Sequence, residues 1–321
     1  MKAVVTGGTG FIGDAIVRQL LAQGHEVVVV DNNFDPHCRF VDSAVNGGRI
    51  SAGTYELLPM DVREMAALKI EDVDMVFHLA AHYANERSLR EPMLAVSVNM
   101  VGTMAVLEFC RKNGVKKLMY ASSSGVYGGV DVVAYAESVR AKPMTPYEVT
   151  KYSGEVLCSG YCKLYDISLV SPRFFNVYGP GDLGGEWRAV IPNFFSLALR
   201  GQPLIVTGTY ASRDFTYIDD VVSGVFAGIE RVEQAPGPIE VIYNIATGRE
   251  VFIKELASMI IDLTGASSEI VIRELRNWDN APRRVGDIHK YRALFPEAAE
   301  RMRSIQQGLE DSLDWYKAVC S

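Results

Sequence analysis

Thr6-Gly7-Gly8-Thr9-Gly10-Phe11-Ile12-Gly13 follows the apolar run Ala3-Val4-Val5 and leads into a stretch, Phe11 to Gln23, with helical periodicity. A strand that turns through glycines into a helix is the opening of a βαβ unit. Gly7 allows a tight reversal, Gly10 lets backbone approach a pyrophosphate, and Gly13 lets the helix pack on the strand. Phe11 and Ile12 begin that helix, whose unpaired N–H groups and partial positive charge would face the phosphate. Gly24 closes it, and His25-Glu26-Val27-Val28-Val29-Val30-Asp31 reads as a second strand ending in a carboxylate. A carboxylate there can hold both hydroxyls of an adenosine ribose and would repel a 2′-phosphate. The next residues are Asn32 and Asn33 rather than Arg or Lys, and Arg39 lies in a loop. The expected cofactor is therefore NAD rather than NADP, with Asp31 and Asn32 at its ribose.

Further strands are expected at Tyr55 to Pro59, Val73 to Leu79, Lys117 to Ser122 and Ile167 to Arg173, with helices at Ser88 to Lys112 and Pro146 to Tyr165. Residues 33 to 54 read as a loop. After about Pro180 the pattern changes to glycines and aromatics, a helix near Pro192 to Arg200 and mixed short elements; the strand Glu240 to Ile245 returns to the first sheet. The expected fold is α/β, a doubly wound parallel sheet of the Rossmann kind with a second, smaller C-terminal substrate lobe. Residues 1–179 plus about 214–247 would form the dinucleotide domain, and about 180–213 plus 248–321 the substrate lobe.

Pro146-Tyr147-Glu148-Val149-Thr150-Lys151 carries the chemistry. Tyr147 and Lys151 lie one helical turn apart on one face. An ammonium so placed can pull a phenol's pKa of about 10 towards neutrality, and a phenol tuned in that way can take a proton from a hydroxyl. Composition narrows the partners. The 32 Lys and Arg against 39 Asp and Glu give a net charge of −7, and no basic run could track a phosphate backbone, so nucleic acid is not expected. The 5 cysteines, Cys38, Cys110, Cys158, Cys162 and Cys320, show no CxxC pair and are expected to be reduced packing thiols, and no metal site is expected. The first strand starts at Lys2, and no uncharged apolar run reaches the ~18 residues a membrane span needs, so a cytoplasmic protein is expected.

Taken in order, Thr6-Gly7-x-x-Gly10-x-x-Gly13, Asp61-Val62, His78-Leu79-Ala80-Ala81, Ser122-Ser123-Ser124-Gly125-Val126-Tyr127-Gly128, Tyr147-x-x-x-Lys151 and Arg173-Phe174-Phe175-Asn176-Val177-Tyr178-Gly179-Pro180 resemble the extended short-chain dehydrogenase/reductase family. Arg213-Asp214-Phe215-Thr216-Tyr217-Ile218-Asp219-Asp220-Val221 and Arg284-Val285-Gly286-Asp287 extend the resemblance to about residue 290, within the nucleotide-sugar epimerase and dehydratase branch. It implies that Asp61 and Val62 contact adenine, that Leu79, Ala80 and Ala81 line the cofactor path, and that Lys151 also holds the nicotinamide ribose. Ser123 would hydrogen-bond the reacting hydroxyl. Asn176, Arg213 and Arg284 would hold the phosphates of a nucleotide-diphosphate sugar, with Arg283 an alternative to Arg284. Asn99 and His78 read as structural and Asp219 and Asp220 as helix caps, whereas His82, Tyr83, Asn85 and Glu86 read equally as substrate contacts or a solvated loop. The helices Ser88 to Lys112 and Pro146 to Tyr165 would pair two copies into a homodimer.

Dehydratases of the branch carry Asp-Glu before Val-Tyr-Gly, where this chain has Ser124-Gly125, and the decarboxylases that make UDP-xylose place a Glu at Gly125. The reductase and 3,5-epimerase group uses a Cys in the serine loop and a His after Tyr-Gly-Pro; here Ser122 to Gly125 hold no Cys and Gly181 follows Pro180. What remains is Ser123, Tyr147 and Lys151, the set for 4-epimerisation through a 4-keto sugar, with a UDP-hexose or UDP-uronate as the expected substrate. The sugar would be read by loops at Tyr83 to Arg87, Gly128 to Val133 and Leu183 to Trp187. Another nucleotide-sugar-modifying reaction of the family, that of a dehydratase, decarboxylase or reductase, stays open as an alternative, and so do two further readings. One is a small-alcohol NAD dehydrogenase, disfavoured by Arg213 and Arg284; the other is a non-catalytic NAD-binding relative, disfavoured by the intact Ser123, Tyr147 and Lys151.

Overall fold

Val27, Val28, Val29 and Val30 have no polar face in sequence because both sides of their strand are covered; none is more than 2% exposed. In the computed structural model, which describes residues 1–32, 53–130, 132, 134–185, 189–276, 279 and 281–320, this strand lies inside a largely parallel sheet. Its strands along the chain are β1 (Lys2–Thr6), β2 (Glu26–Asp31), β3 (Thr54–Pro59), β4 (Met75–His78), β5 (Lys117–Tyr120), β6 (Ser168–Phe174) and β7 (Glu240–Ile245). In space they run β7-β6-β5-β4-β1-β2-β3, with the two-residue strand Ser122–Ser123 also paired to β6. The order reverses beside β1: Val5 pairs with Val29 of β2 on one side and with Phe77 of β4 on the other. A doubly wound sheet opens a crevice at the carboxyl ends of the strands at such a reversal. Of the expected loop from 33 to 54, residues 33 to 52, with Asn33, Cys38 and Arg39, lie outside the described residues.

The described chain divides into two compact units. Met1–Val126, Pro143–Arg173 and Val222–Tyr243 make the first; Tyr127–Lys142, Phe174–Val221 and Asn244–Ser321 make the second. This division gives Tyr127–Lys142, and with it residues 174–179, 214–221 and 244–247, to the second unit, whereas the sequence places all of these in the first lobe. In the first unit, α1 (Phe11–Ala22), α2 (Gly102–Lys112) and α3 (Pro146–Leu164) cover the sheet. One face of the sheet buries Val4, Val28, Val76 and Leu118 with Val106, Phe109, Cys110, Cys158 and Cys162 from the helices. Burial pushes the thiols of Cys110, Cys158 and Cys162 up, the last to about 12. Together with Cys320 they are unbridged, while Cys38 lies outside the described residues.

The expected single helix from Ser88 to Lys112 is broken. Asn85–Arg90 ends at Glu91, which stands at φ −126° and ψ 56°, and a new helix starts at Pro92. Proline has no N–H to continue the ladder, and its ring drives the preceding residue out of the helical region. A π-helical turn, Ser97–Val101, then precedes α2. The run Pro92–Lys112 has the length and apolar composition of a membrane span, and half of it is buried inside the fold.

The second unit carries short strands that match the C-terminal motifs. Ser212–Arg213 pairs in parallel with Arg283–Gly286, which in turn pairs with Ala134–Tyr135. Phe215–Tyr217 pairs with Asn176–Tyr178, and Leu204–Thr207 with Ile270–Arg273. The helix expected at Pro192 to Arg200 is Val190–Leu199.

Candidate active site

The glycine turn is shaped by what surrounds it. Gly7 has φ 72°, and a Cβ on it would stand 2.6 Å from the Ala80 backbone N. On Gly13 a Cβ would collide with the Gly7 carbonyl, and on Gly10 it would come within 3.3 Å of the same oxygen. Gly10 N-caps α1 without a side chain, so the first-turn N–H groups at Phe11, Ile12 and Gly13 meet no capping residue. A bare backbone cradle at a helix N-terminus is the donor set that a pyrophosphate needs. Asp31 closes the same turn: its Oδ2 accepts from the Thr9 N–H at 3.1 Å. Asn32 follows it as an exposed residue.

Asp61 N-caps the 3-10 turn Val62–Ala67 and takes the Arg63 backbone N–H and its guanidinium on both oxygens, at 2.6 to 2.9 Å. The hydrogen bond from Arg63 holds this carboxyl below its usual range. Val62 is buried beside it. Leu79 N–H donates to the Thr6 carbonyl and Ala80 N–H to Thr6 Oγ1, so Leu79, Ala80 and Ala81 leave the sheet directly against the glycine turn.

His78 is a structural link, as read. Its Nδ1 lies 2.8 Å from Thr6 Oγ1 and its Nε2 2.9 Å from Thr103 Oγ1. Thr103 already donates to the Asn99 carbonyl, so it accepts from Nε2–H, and Nδ1 must accept from Thr6. Burial, reinforced by the charge of Lys151, lowers His78 from 6.5 to about 3. The folded state therefore refuses a proton that the unfolded chain accepts, and stability is lost as pH falls below 6.5. The expected slope is about 1.4 kcal/mol per pH unit down to about pH 3. Urea midpoints between pH 6.5 and 4 check it: a His78→Gln variant should decline less steeply than the parent, and equal slopes would remove the assignment.

Asn99 extends the network within the π-helical turn. Its Oδ1 accepts from His82 N–H, and its Nδ2 donates to the His82 carbonyl and to Thr150 Oγ1, which donates in turn to the Tyr147 carbonyl. This path joins the loop after β4 to the main chain of the Tyr-Lys helix. The extra residue of a π turn often marks a functional position. In sequence Asn99 reads only as a helix residue, because a π turn has no compositional signature.

On α3, Thr145 and Glu148 form a capping box and Pro146 sits at the start, which fixes Tyr147 in the first turn. Tyr147 N–H donates to Ser88 Oγ at 3.1 Å. Lys151 is buried, and its Nζ donates to the Ala121 carbonyl at 2.8 Å, with the Tyr120 ring 5.3 Å away. Burial lowers its ammonium from 10.5 to about 8. Ser123 Oγ accepts the Gly125 N–H at 3.0 Å, which leaves the hydroxyl proton to be donated outward. Ser123, Gly125, Tyr147 and Lys151 thus belong to one unit.

The second unit holds the three residues assigned to phosphates on neighbouring strands. Arg213 stands in register with Arg284, and Asn176 Nδ2 donates to the carbonyl of Asp214, next to Arg213. Arg213 donates to the carbonyls of Ser212 and Pro282 and to Asp279 at 2.8 Å; burial lowers its guanidinium, with Arg284 adding to the effect and Asp279 opposing it. Arg283 is exposed and forks onto Glu250 at 2.7 Å, so strand alternation separates it from Arg284. Asp214 carries no expected site role and proves to be a fully buried hub. It accepts four hydrogen bonds, from Thr247 N–H and Oγ1, Gly248 N–H and Gly286 N–H, which tie its own strand to two other segments. Asp220 pairs with Arg303 at 2.6 Å, and Asp219 lies 3.4 Å from the same guanidinium. Among the described residues no group of His, Cys, Asp or Glu could hold a metal ion.

A parallel sheet with a glycine cradle, an acidic residue at the end of β2 and a Ser, Tyr and Lys set on the same unit defines a dinucleotide enzyme with the Rossmann-like short-chain dehydrogenase/reductase fold. The chain belongs to the NAD dependent epimerase/dehydratase family, whose model matches residues 3–246. It is 33% identical to UDP-glucose 4-epimerase of Mycolicibacterium smegmatis over 99% of both chains. It is 29% identical to UDP-N-acetyl-alpha-D-glucosaminuronate decarboxylase of Bacillus cytotoxicus, over 99% of this chain and 98% of that one. Among solved structures, UDP-glucuronic acid 4-epimerase from Bacillus cereus, in complex with UDP-glucuronic acid and NAD, superposes with a TM-score of 0.85 at 29% identity, over 99% of this chain and 100% of that one. An epimerase and a decarboxylase at such similar identity place the chain among nucleotide-sugar enzymes, and its own residues must decide the reaction.

Proposed function

We propose that the protein interconverts C4 epimers of a nucleotide-diphosphate sugar, a UDP-hexose or UDP-uronate, through a transient 4-keto sugar. The observation that carries this is Gly125. The chain has no acid at the position where the decarboxylases that make UDP-xylose place a Glu, and the space beside it is filled. A Cβ there would lie 3.2 Å from Glu148 Cγ, 3.3 Å from Ser123 Oγ and 3.7 Å from Tyr147 Cε1. Ser123, Tyr147 and Lys151 are left to move one proton on and off a sugar hydroxyl.

NAD fits the glycine cradle, because a side chain at Gly7 or Gly13 would collide with backbone, and Asp31 is anchored beside the turn by Thr9. When bound, NAD supplies the acceptor and then the donor for the hydride of C4. Ser123 donates to the 4-oxygen and orients it, Tyr147 takes its proton and later returns it, and Lys151 supports the charge on the phenol oxygen. Asn176, Arg213 and Arg284 anchor the diphosphate while the sugar turns. Two copies pair through the helices at 92–112 and 146–164, where Met93, Val101, Val156 and Leu164 are exposed apolar residues.

The similarity to a decarboxylase supports a second reading, loss of CO₂ from a UDP-uronate. A proton NMR time course with UDP-glucose, UDP-N-acetylglucosamine and UDP-glucuronate separates the two. The C4 epimer without net NADH is the expected product. A pentose product with CO₂ release would replace this reading with the second, and a purely monomeric sedimentation profile of the same preparation would remove the dimer.

A further inference from the structure

Glu148 stands next to Tyr147 in the catalytic helix and is fully buried. Its Oε2 accepts from the N–H groups of Met144 and Thr145 at 3.0 and 3.2 Å, and its Oε1 accepts from Asn85 Nδ2 at 3.3 Å. Asn85 Oδ1 accepts in turn from Thr145 Oγ1 at 2.9 Å, and Ser88 Oγ donates to the Asn85 carbonyl while accepting the Tyr147 N–H. The loop after β4 and the first turn of α3, distant in sequence, are therefore stitched together side chain by side chain. The stitching holds a strained backbone: Ala84, immediately before Asn85, stands at φ 75° and ψ 133°, a conformation that a residue with a Cβ rarely adopts. The Glu148 side chain also packs against the serine loop, its Cγ 3.2 Å from where a Cβ on Gly125 would be. Gly125 in turn donates its N–H to Ser123 Oγ.

We infer that Glu148, together with Asn85, is a positioning residue that sets Tyr147, Ser123 and the helix Asn85–Arg90, with the loop of His82 and Tyr83 that leads into it, relative to one another, and that it transfers no proton itself. The inference rests on the assignment of Tyr147 and Ser123 made above. The Glu148 oxygens face N–H donors at all three of these bonds, so the side chain acts as an acceptor. A glutamine can replace it, its amide oxygen serving Met144 and Thr145. Its NH₂ then meets Asn85 once that amide flips to present its oxygen, with Asn85 Nδ2 donating to Thr145 Oγ1.

The test uses the full chain with Glu148→Ala, Glu148→Gln, Asn85→Ala and the Glu148→Ala/Asn85→Ala pair, and has two readouts. Amide hydrogen exchange reports the coupling without reference to any reaction. Glu148→Ala should speed exchange in residues 85–90 and at Gly125 by about tenfold, the worth of a lost buried hydrogen bond. Asn85→Ala should do the same at residues 144–148, the pair should add little to either single change, and Glu148→Gln should stay near the parent. Changes confined to the mutated element would overturn the coupling. Turnover of UDP-glucose or UDP-glucuronate reports its purpose: Glu148→Ala should lower kcat about 10- to 100-fold with KM little changed, through misplacement of the reacting groups. Glu148→Gln should restore it. A glutamine variant as inactive as the alanine one would show that Glu148 moves a proton, and a change confined to KM would make it a substrate contact; either overturns the proposal. Should the parent convert no UDP-sugar, the proposed reaction falls, and the exchange data alone decide whether the coupling exists. Should Glu148→Ala fail to fold, Asn85→Ala and Glu148→Gln carry both readouts.

Discussion

Tyr147→Phe is expected to lower turnover of the UDP-sugar by about 10²- to 10⁴-fold, the usual worth of a positioned general acid and base, while leaving the fold and the content of bound NAD unchanged. The fold should hold because Tyr147 is fixed by its main chain. Its N–H donates to Ser88, its carbonyl accepts from Thr150, and the helix it opens is capped by Thr145 and Glu148. Phenylalanine keeps all of these and removes only the hydroxyl. Lys151 gives the pH dependence. Burial lowers its ammonium to about 8, so it carries charge below that pH and loses it above. Turnover of the parent should therefore decline as pH rises through about 8, as the charge supporting the phenolate disappears. Full turnover of Tyr147→Phe would end the scheme, as would a parent rate that keeps rising well past that pH.

Local signals in the sequence carry the sheet, the cofactor turn and the Tyr-Lys pair. Val27 to Val30 announce a strand buried on both faces, Gly7 to Gly13 announce the turn, and Thr145, Pro146 and Glu148 announce the start of the helix that holds Tyr147. Each of these is decided by neighbours a few residues apart. The break at Glu91 was also legible, since Pro92 forbids a helix through it, yet the apolar periodicity on either side masks the interruption. Long-range partners were not legible. Asn85 and Glu148 meet across 63 positions, Asp214 and Gly286 across 72, and neither pair has a spacing that any local rule describes. The same holds for Tyr127–Lys142, whose place in the second unit depends on Ala134 and Tyr135 pairing with a strand at Val285 and Gly286. Buried polar hubs escape sequence reading for one physical reason. The side chains look like surface residues, and only the fold shows that each has donors and acceptors waiting for it.

Glu155→Ala is expected to destabilise the first unit by about 3–5 kcal/mol, the cost of breaking a buried ion pair from one side. Glu155 lies one turn beyond Lys151 on α3 and takes Arg173 as a fork, Nε to Oε2 at 3.0 Å and a terminal nitrogen to Oε1 at 2.6 Å. Ser122 Oγ adds a third bond to Oε2 at 2.7 Å. With side chains only 8% and 5% exposed, neither partner can turn to water when the other is removed, so the penalty is the desolvation of Arg173 rather than the modest net worth of the pair. That sign makes a sharper test than a single variant. Glu155→Leu with Arg173→Leu removes both charges and should recover more than half of the loss, because a paired apolar replacement carries no buried charge. The two single changes would then be strongly non-additive in urea midpoints followed by circular dichroism. Equal losses in the single and double variants would mean that shape rather than charge holds this junction. Recovered stability need not recover activity. Glu155 also fixes Ser122, the neighbour of Ser123, so the double variant should fold and still turn over more slowly than the parent, by about tenfold or more through misplacement of the serine loop.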